Sequence, residues 1–208
     1  MKDAGIGRLL VASLHQAIAD VLPMRLEFYE NWLNPEGLRH GTIGLAPLAA
    51  VLSFLRAEGE PYRVITAQAG AYAAEWTLAS QSPFARRLPS VLPFPLRVRA
   101  ALREGRHLVS QTYSGSRAIA RLRRGAGSID LRGSLFCVVR ERAPQPLCGY
   151  YEAAFTRVFG LYGVDASARV EQCRATGDSR CLLSVEVRGP RRDAPAARLG
   201  LGLSGGPS

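Results

Sequence analysis

The sequence predicts an α+β domain: N-terminal helices packed on a small antiparallel sheet, with a C-terminal strand, helix and hairpin. Three observations carry that prediction. Apolar residues recur at helical spacing through roughly the first hundred positions. After residue 133 short β-prone runs appear, with one helical run between them. The chain has 208 residues, 47% of them apolar, enough for one core and short for two.

The elements follow in order. Ile6 to Leu22 reads as an amphipathic helix with Leu10, Leu14, Ile18 and Val21 on one face, stopped by Pro23. His15 neighbours that face. Leu26 to Leu33 is a short helical run carrying Phe28, Tyr29 and Trp32, closed at Asn34-Pro35. Ala46 to Arg56 is strongly apolar, with Pro47 suited to a first turn. Tyr62 to Thr77 contains Ala67, Ala69, Gly70, Ala71, Ala73 and Ala74, a small-residue set that allows close helix packing. Ser82 to Pro95 holds four prolines and reads as a long loop. Leu96 to Glu104 suits a short helix. Ser110 to Arg123 fits strand or helix equally well, and a Gly-rich turn follows at Gly125-Ala126-Gly127.

Ser134 to Arg140 reads as a short buried strand, with Cys137 as core. Gly149 to Tyr162 is helical, presenting Tyr151, Phe155, Val158, Phe159 and Tyr162 on one face. Ala166 to Arg174 and Cys181 to Arg188 form a hairpin across Thr176-Gly177-Asp178-Ser179. Residues 1–188 make one domain. Residues 189–208, rich in Gly, Pro, Ala and Arg, read as a disordered tail.

Charge bounds the partners. The net charge is +10, with Lys2 the one lysine. Between Arg97 and Arg142 eleven arginines face three acids, a patch suited to an anionic surface or an acidic protein. No nucleic-acid-binding signature accompanies it, so a solvated face is the plainer reading and nucleic acid is not the expected partner. No apolar run is long enough for a transmembrane helix, and Arg8, His15 and Asp20 break any signal-peptide core. The expected location is cytoplasmic, where thiols stay reduced.

The chemistry-bearing pattern is Cys148, Glu171, Cys173 and Cys181. Residues two apart on a strand share a face, so Glu171 and Cys173 can point together, and Cys181 can meet Cys173 across the hairpin. Cys148 stands at a helix start, where the dipole favours thiolate. Three thiolates and a carboxylate would complete a closed zinc site. Core cysteines are the competing reading, since no CxxC pair is present. A nucleophilic cysteine would need a base, and His15, His40 and His107 are all distant in sequence.

Cys148-Gly-Tyr-Tyr, Gly160 and Val170-Glu-Gln-Cys-Arg-Ala-Thr-Gly-Asp-Ser-Arg-Cys181 resemble the 4-vinyl reductase domain family, over residues 132–187. The helical segment around Ala69 to Trp76 resembles its other half. The family includes a protein tied to bacteriochlorophyll 4-vinyl reduction and the sensor domains of phenol-responsive activators. Its fold is similar to haem nitric-oxide-binding domains and to subunits of vesicle-tethering complexes. The resemblance implies a dimeric ligand-binding domain, with a pocket for an apolar or aromatic molecule such as a tetrapyrrole intermediate. It also implies zinc on Cys148, Cys173 and Cys181. The sensors place their glutamate three residues before the cysteine, whereas position 170 is Val here and Glu171 stands two before.

A stand-alone ligand-binding protein with a structural zinc is therefore the expected function. Trp32, Tyr72, Trp76, Tyr151 and Phe155 are its candidate pocket walls. A reductase, or an accessory to one, is the enzymatic alternative; no dinucleotide fingerprint and no flavin or iron–sulfur motif supports it. A protein-interaction module of tethering type is the third reading.

Overall fold

Helix α1, Arg8–Val21, turns Leu10, Leu14 and Ile18 fully into the core, with Ser13 and Ala17 filling the gaps between them. The spacing of those residues explains the helix: one stripe is apolar, and the opposite side carries Arg8, Gln16 and Asp20. The structure is a computed structural model that describes residues 6–33, 44–83, 86, 91–123 and 125–191. His40, the expected turn at Asn34-Pro35 and residues 192–208 of the expected tail lie outside the described residues.

A 3-10 turn, Pro23–Arg25, leads into α2, Leu26–Leu33, which buries Tyr29 and Leu33. Helix α3, Leu45–Ala57, buries Leu48, Val51, Leu52 and Leu55, a continuous helical stripe. Helix α4, Glu60–Ala79, runs through the small-residue segment, and Ala69, Gly70, Ala73 and Ala74 are buried. Their smallness has a direct cause. A Cβ on Gly70 would stand 2.1 Å from the Tyr150 carbonyl oxygen. The backbone of α4 thus touches that of α6, Gly149–Leu161, at a distance no side chain permits.

Helix α5, Phe94–Thr112, is more than twice the expected length. It absorbs the first part of the segment from Ser110 that fitted either strand or helix. Its amphipathic face of Val98, Ala101, Leu108 and Val109 is interrupted by arginines, which hid its extent in the sequence.

The sheet is antiparallel throughout, in the order β1-β2-β4-β3. Strands β1, Arg117–Arg123, and β2, Ala126–Arg132, form a hairpin over the Gly-rich turn. Strands β3, Val164–Gln172, and β4, Cys181–Pro190, form the second, as expected. Gly189 and Pro190 therefore belong to β4 and not to the tail. Along β4, Cys181, Leu183 and Val185 face the core, and Leu182, Ser184 and Glu186 face outward.

One expected strand is absent. Ser134 to Arg140 contains a 3-10 turn at Leu135–Cys137 and then irregular chain. Its apolar residues are buried by packing: the Phe136 ring lies 4.9 Å from that of Tyr150 and 5.6 Å from that of Tyr151. A short apolar run suits a buried turn as well as a strand, and sequence periodicity does not separate them. No single described helix is long and apolar enough to cross a membrane.

Candidate metal centre

Four cysteines converge where the two halves of the domain meet. Cys137 ends the 3-10 turn, Cys148 occupies the position before α6, Cys173 follows β3, and Cys181 opens β4. One ligand atom from each lies within 4.8 Å of the others. The Sγ of Cys137 is 3.1 Å from that of Cys148, 3.3 Å from that of Cys173 and 3.4 Å from that of Cys181. Cys148 and Cys173 are 3.8 Å apart. A disulfide needs about 2.05 Å, so these are separate thiols. Four sulfurs about 2.3 Å from one ion at the corners of a tetrahedron are about 3.8 Å apart, close to the spacing here. Cys148, Cys173 and Cys181 are fully buried, and Cys137 is partly so.

The local chain explains how the sulfurs come to face one another. On β3 the inward residues are Val164, Ala166 and Ala168, which places Glu171 outward with Arg169. A register shift between Val170 and Gln172 then breaks the alternation, and Cys173 turns inward although Glu171 does not. The reasoning that residues two apart share a face holds only within an uninterrupted strand. Glu171 is exposed and stands outside the four-residue group. Cys137, read in the sequence as a core residue, is inside it. Its distance in sequence from the other three and its place in an apolar run concealed it; the signal available was that it makes the cysteine count four.

The loop after Cys173 is tied down from several directions. Asp178 Oδ2 accepts hydrogen bonds from the Cys173 amide, at 2.8 Å, and from Thr176 Oγ1, at 3.1 Å. Thr176 Oγ1 also donates to the Cys173 carbonyl. Gly177 closes the turn at φ +104°, a left-handed conformation that side chains resist. Two backbone amides point at sulfur: Leu147 N–H to Cys173 and Arg174 N–H to Cys181, both at 3.4 Å. Such donors stabilise thiolate.

Thiols this close titrate together. Hydrogen bonds from neighbouring thiols, first Cys137 and then Cys148, hold Cys181 down to about 6 and Cys173 well below the usual thiol range. Cys148 is pushed up, by Cys137 first and then Cys173. The cluster thus combines thiolate with thiol in a buried pocket, a donor set that suits a soft cation such as zinc.

The aromatic residues expected to wall a pocket occupy three places. Trp32 is 41% exposed and packs on Phe54, with ring centroids 5.4 Å apart. Tyr72 and Trp76 stack at 5.6 Å on the outer part of α4, and the Tyr72 hydroxyl donates to Asp20. Tyr151 and Phe155 are core residues, the latter against Gly105, where an added Cβ would stand 2.2 Å from its ring. Two concavities lie elsewhere. One, of about 730 Å³, runs between α4 and α6 beside Val170. The other, of about 1090 Å³, lies between α3 and the segment 138–147.

No family model matches the chain, and no curated protein does. Solved structures do share its fold. An H-NOX protein from S. oneidensis in the Fe(II)NO ligation state is 11% identical, with a TM-score of 0.53 over 88% of this chain and 100% of the other. The SO2144 H-NOX domain from Shewanella oneidensis in the Fe(II)CO ligation state is 13% identical, with a TM-score of 0.54 over 88% of this chain and 98% of the other. The phenol-responsive sensory domain of the transcription activator PoxR, solved with phenol, is 16% identical over 69% of this chain and 74% of the other, with a TM-score of 0.44. The chain has an H-NOX-like α+β fold.

Proposed function

We propose that this chain is a small-molecule-binding domain of sensor type, stapled by a structural zinc ion on Cys137, Cys148, Cys173 and Cys181. The observation that carries the metal is the convergence of four sulfurs within 4.8 Å. Four protein thiolates fill a tetrahedral zinc and leave no open position, so the role is structural. The ion would join the 3-10 turn, the start of α6 and both strands of the C-terminal hairpin. It would thereby lock the sheet to the helical layer.

The ligand reading is supported by the fold, which is shared with proteins whose described states carry NO or CO on ferrous iron. The residues described here do not fit such an iron. His15 is tied to Glu30 at 2.7 Å on a partly exposed face, and exposed His107 is bonded to Gln111. Neither described imidazole is buried. The interior around Phe136, Tyr150 and Tyr151 is filled by their packed rings. The proposed ligand is an apolar or aromatic molecule bound without iron, tetrapyrrole intermediates included.

Native mass spectrometry of protein purified without chelator tests the proposal. One zinc per chain and a co-purified small molecule are expected, and the same spectrum reads whether the protein is the proposed homodimer. Protein that folds normally with no metal under any loading condition would overturn the zinc staple. The absence of any ligand from the native protein and from an apolar ligand screen would overturn the binding role.

A further inference from the structure

The larger groove carries a feature that a merely structural cleft does not require. Arg56 reaches into it from the last turn of α3, and its Nη1 is buried with no hydrogen-bond partner. A buried guanidinium N–H without an acceptor is costly, and such groups are nearly always satisfied. Three acceptors of the groove lining have other partners or face water. The Leu147 carbonyl takes the Tyr62 hydroxyl, Glu60 pairs with Arg63, and Glu141 is exposed. Arg56 is close enough to Tyr62 for its charge to favour the phenolate form.

Much of the rest of the groove is apolar. Ala46, Ala50 and Phe54 line the helix side, and Val138 and Val139 the opposite side. Val138 is 64% exposed and Phe54 38%, so both offer apolar surface to the groove that Arg56 also lines. Arg63 and Arg140 add positive charge at the rim against Glu60 and Glu141. The volume of about 1090 Å³ is ample for a small ligand.

We infer that this groove binds an alkyl carboxylate, with the carboxylate on Arg56 and the chain along the α3 alanines and the two valines. The inference rests on the ligand-binding reading above and names its site and ligand class. The two can fail separately.

The test is calorimetric titration of the zinc-loaded 208-residue chain with decanoate and with decanol, which has the same chain length and no charge. Decanoate should bind one per chain, at least tenfold more tightly than decanol, as expected for a charged hydrogen bond in a sheltered site. Arg56→Leu should remove that preference, Arg56→Lys should keep most of it, and both should melt where the parent does. Equal affinity for acid and alcohol, or decanoate affinity unchanged in Arg56→Leu, would overturn the site and leave binding elsewhere intact. No decanoate binding at all would also overturn it, and the ligand-binding role would then stand or fall on the native mass spectrum.

Discussion

The Sγ atoms of Cys137 and Cys148 are 3.1 Å apart, although one residue ends a 3-10 turn and the other precedes a helix. The segment 138–147 between them is thus a loop closed at both ends by thiols of one cluster. A metal bound by both thiols, as proposed above, would close that loop in the folded chain and make its binding energy part of the folding energy.

In the proposed zinc site, that proximity makes Cys137 rather than Glu171 the fourth ligand. Cys137→Ser should weaken zinc affinity by more than the roughly 10–100-fold typical of an outer contact, and should lower the melting temperature in proportion. Glu171→Gln should change neither, because its side chain is exposed and outside the cluster. Cobalt titration reads the ligand set directly, through the intensity of thiolate-to-metal absorption. A spectrum of three thiolates in the parent, with Glu171→Gln as damaging as Cys137→Ser, would return the fourth position to the carboxylate.

Gly70 is where α4 and α6 touch. A methyl group there would stand 2.1 Å from the Tyr150 carbonyl oxygen, which is backbone and cannot swing aside. Gly70→Ala should destabilise the fold by about 1–3 kcal/mol through overpacking, despite the better helix propensity of alanine. Gly149→Ala is the control, since its Cβ would meet only Thr66 Oγ1 at 3.6 Å. Chemical denaturation of the two variants should separate them; equal stabilities would mean that α4 and α6 part at little cost.

These contacts also mark how far the sequence could be read. Helical stripes such as Leu10, Leu14 and Ile18 were legible because one period satisfied one buried face. The small residues of α4 announced close packing, though not its partner. Two things were hidden for physical reasons. Arg117–Arg123 is a strand whose alternation is blurred by outward Ile119 and by small alanines at two of its inward positions, and its hairpin with β2 showed in the sequence only as a Gly-rich turn. Glu171 and Cys173 obey strand parity on paper, and the register shift between Val170 and Gln172 cancels it. Bulges depend on pairing with a partner strand, so periodicity within one segment does not reveal them.

Buried phenols set the alkaline limit of stability. Burial is the leading cause that raises Tyr29 and Tyr151 from 10.0 to about 12, and it pushes Tyr62 and Tyr150 higher still. The folded state therefore holds protons that the unfolded chain releases near pH 10. Their contribution is fully present below pH 10 and is lost as the pH rises toward 12, amounting to roughly 2–3 kcal/mol for fully buried Tyr151. Phenolate absorbance should rise in two steps, the second coinciding with loss of circular dichroism. All seven tyrosines ionising near pH 10 with the fold intact would contradict this.

Metal removal should loosen a defined part of the molecule. The amides of Leu147 and Arg174 both point at cluster sulfurs, at 3.4 Å, and the loop after Cys173 is anchored through Asp178. A chelator strong enough to strip the site leaves crowded thiols whose mutual repulsion on ionising is no longer offset by a cation. Hydrogen exchange should then accelerate at Leu147, at Arg174 and through 138–147, by tenfold or more. The α1 core around Leu10, Leu14 and Ile18 should retain its protection, because its burial does not depend on the cluster. Loss of protection across α1 at the same rate would mean that the ion holds the whole domain together; no change at Leu147 and Arg174 would mean that it holds nothing.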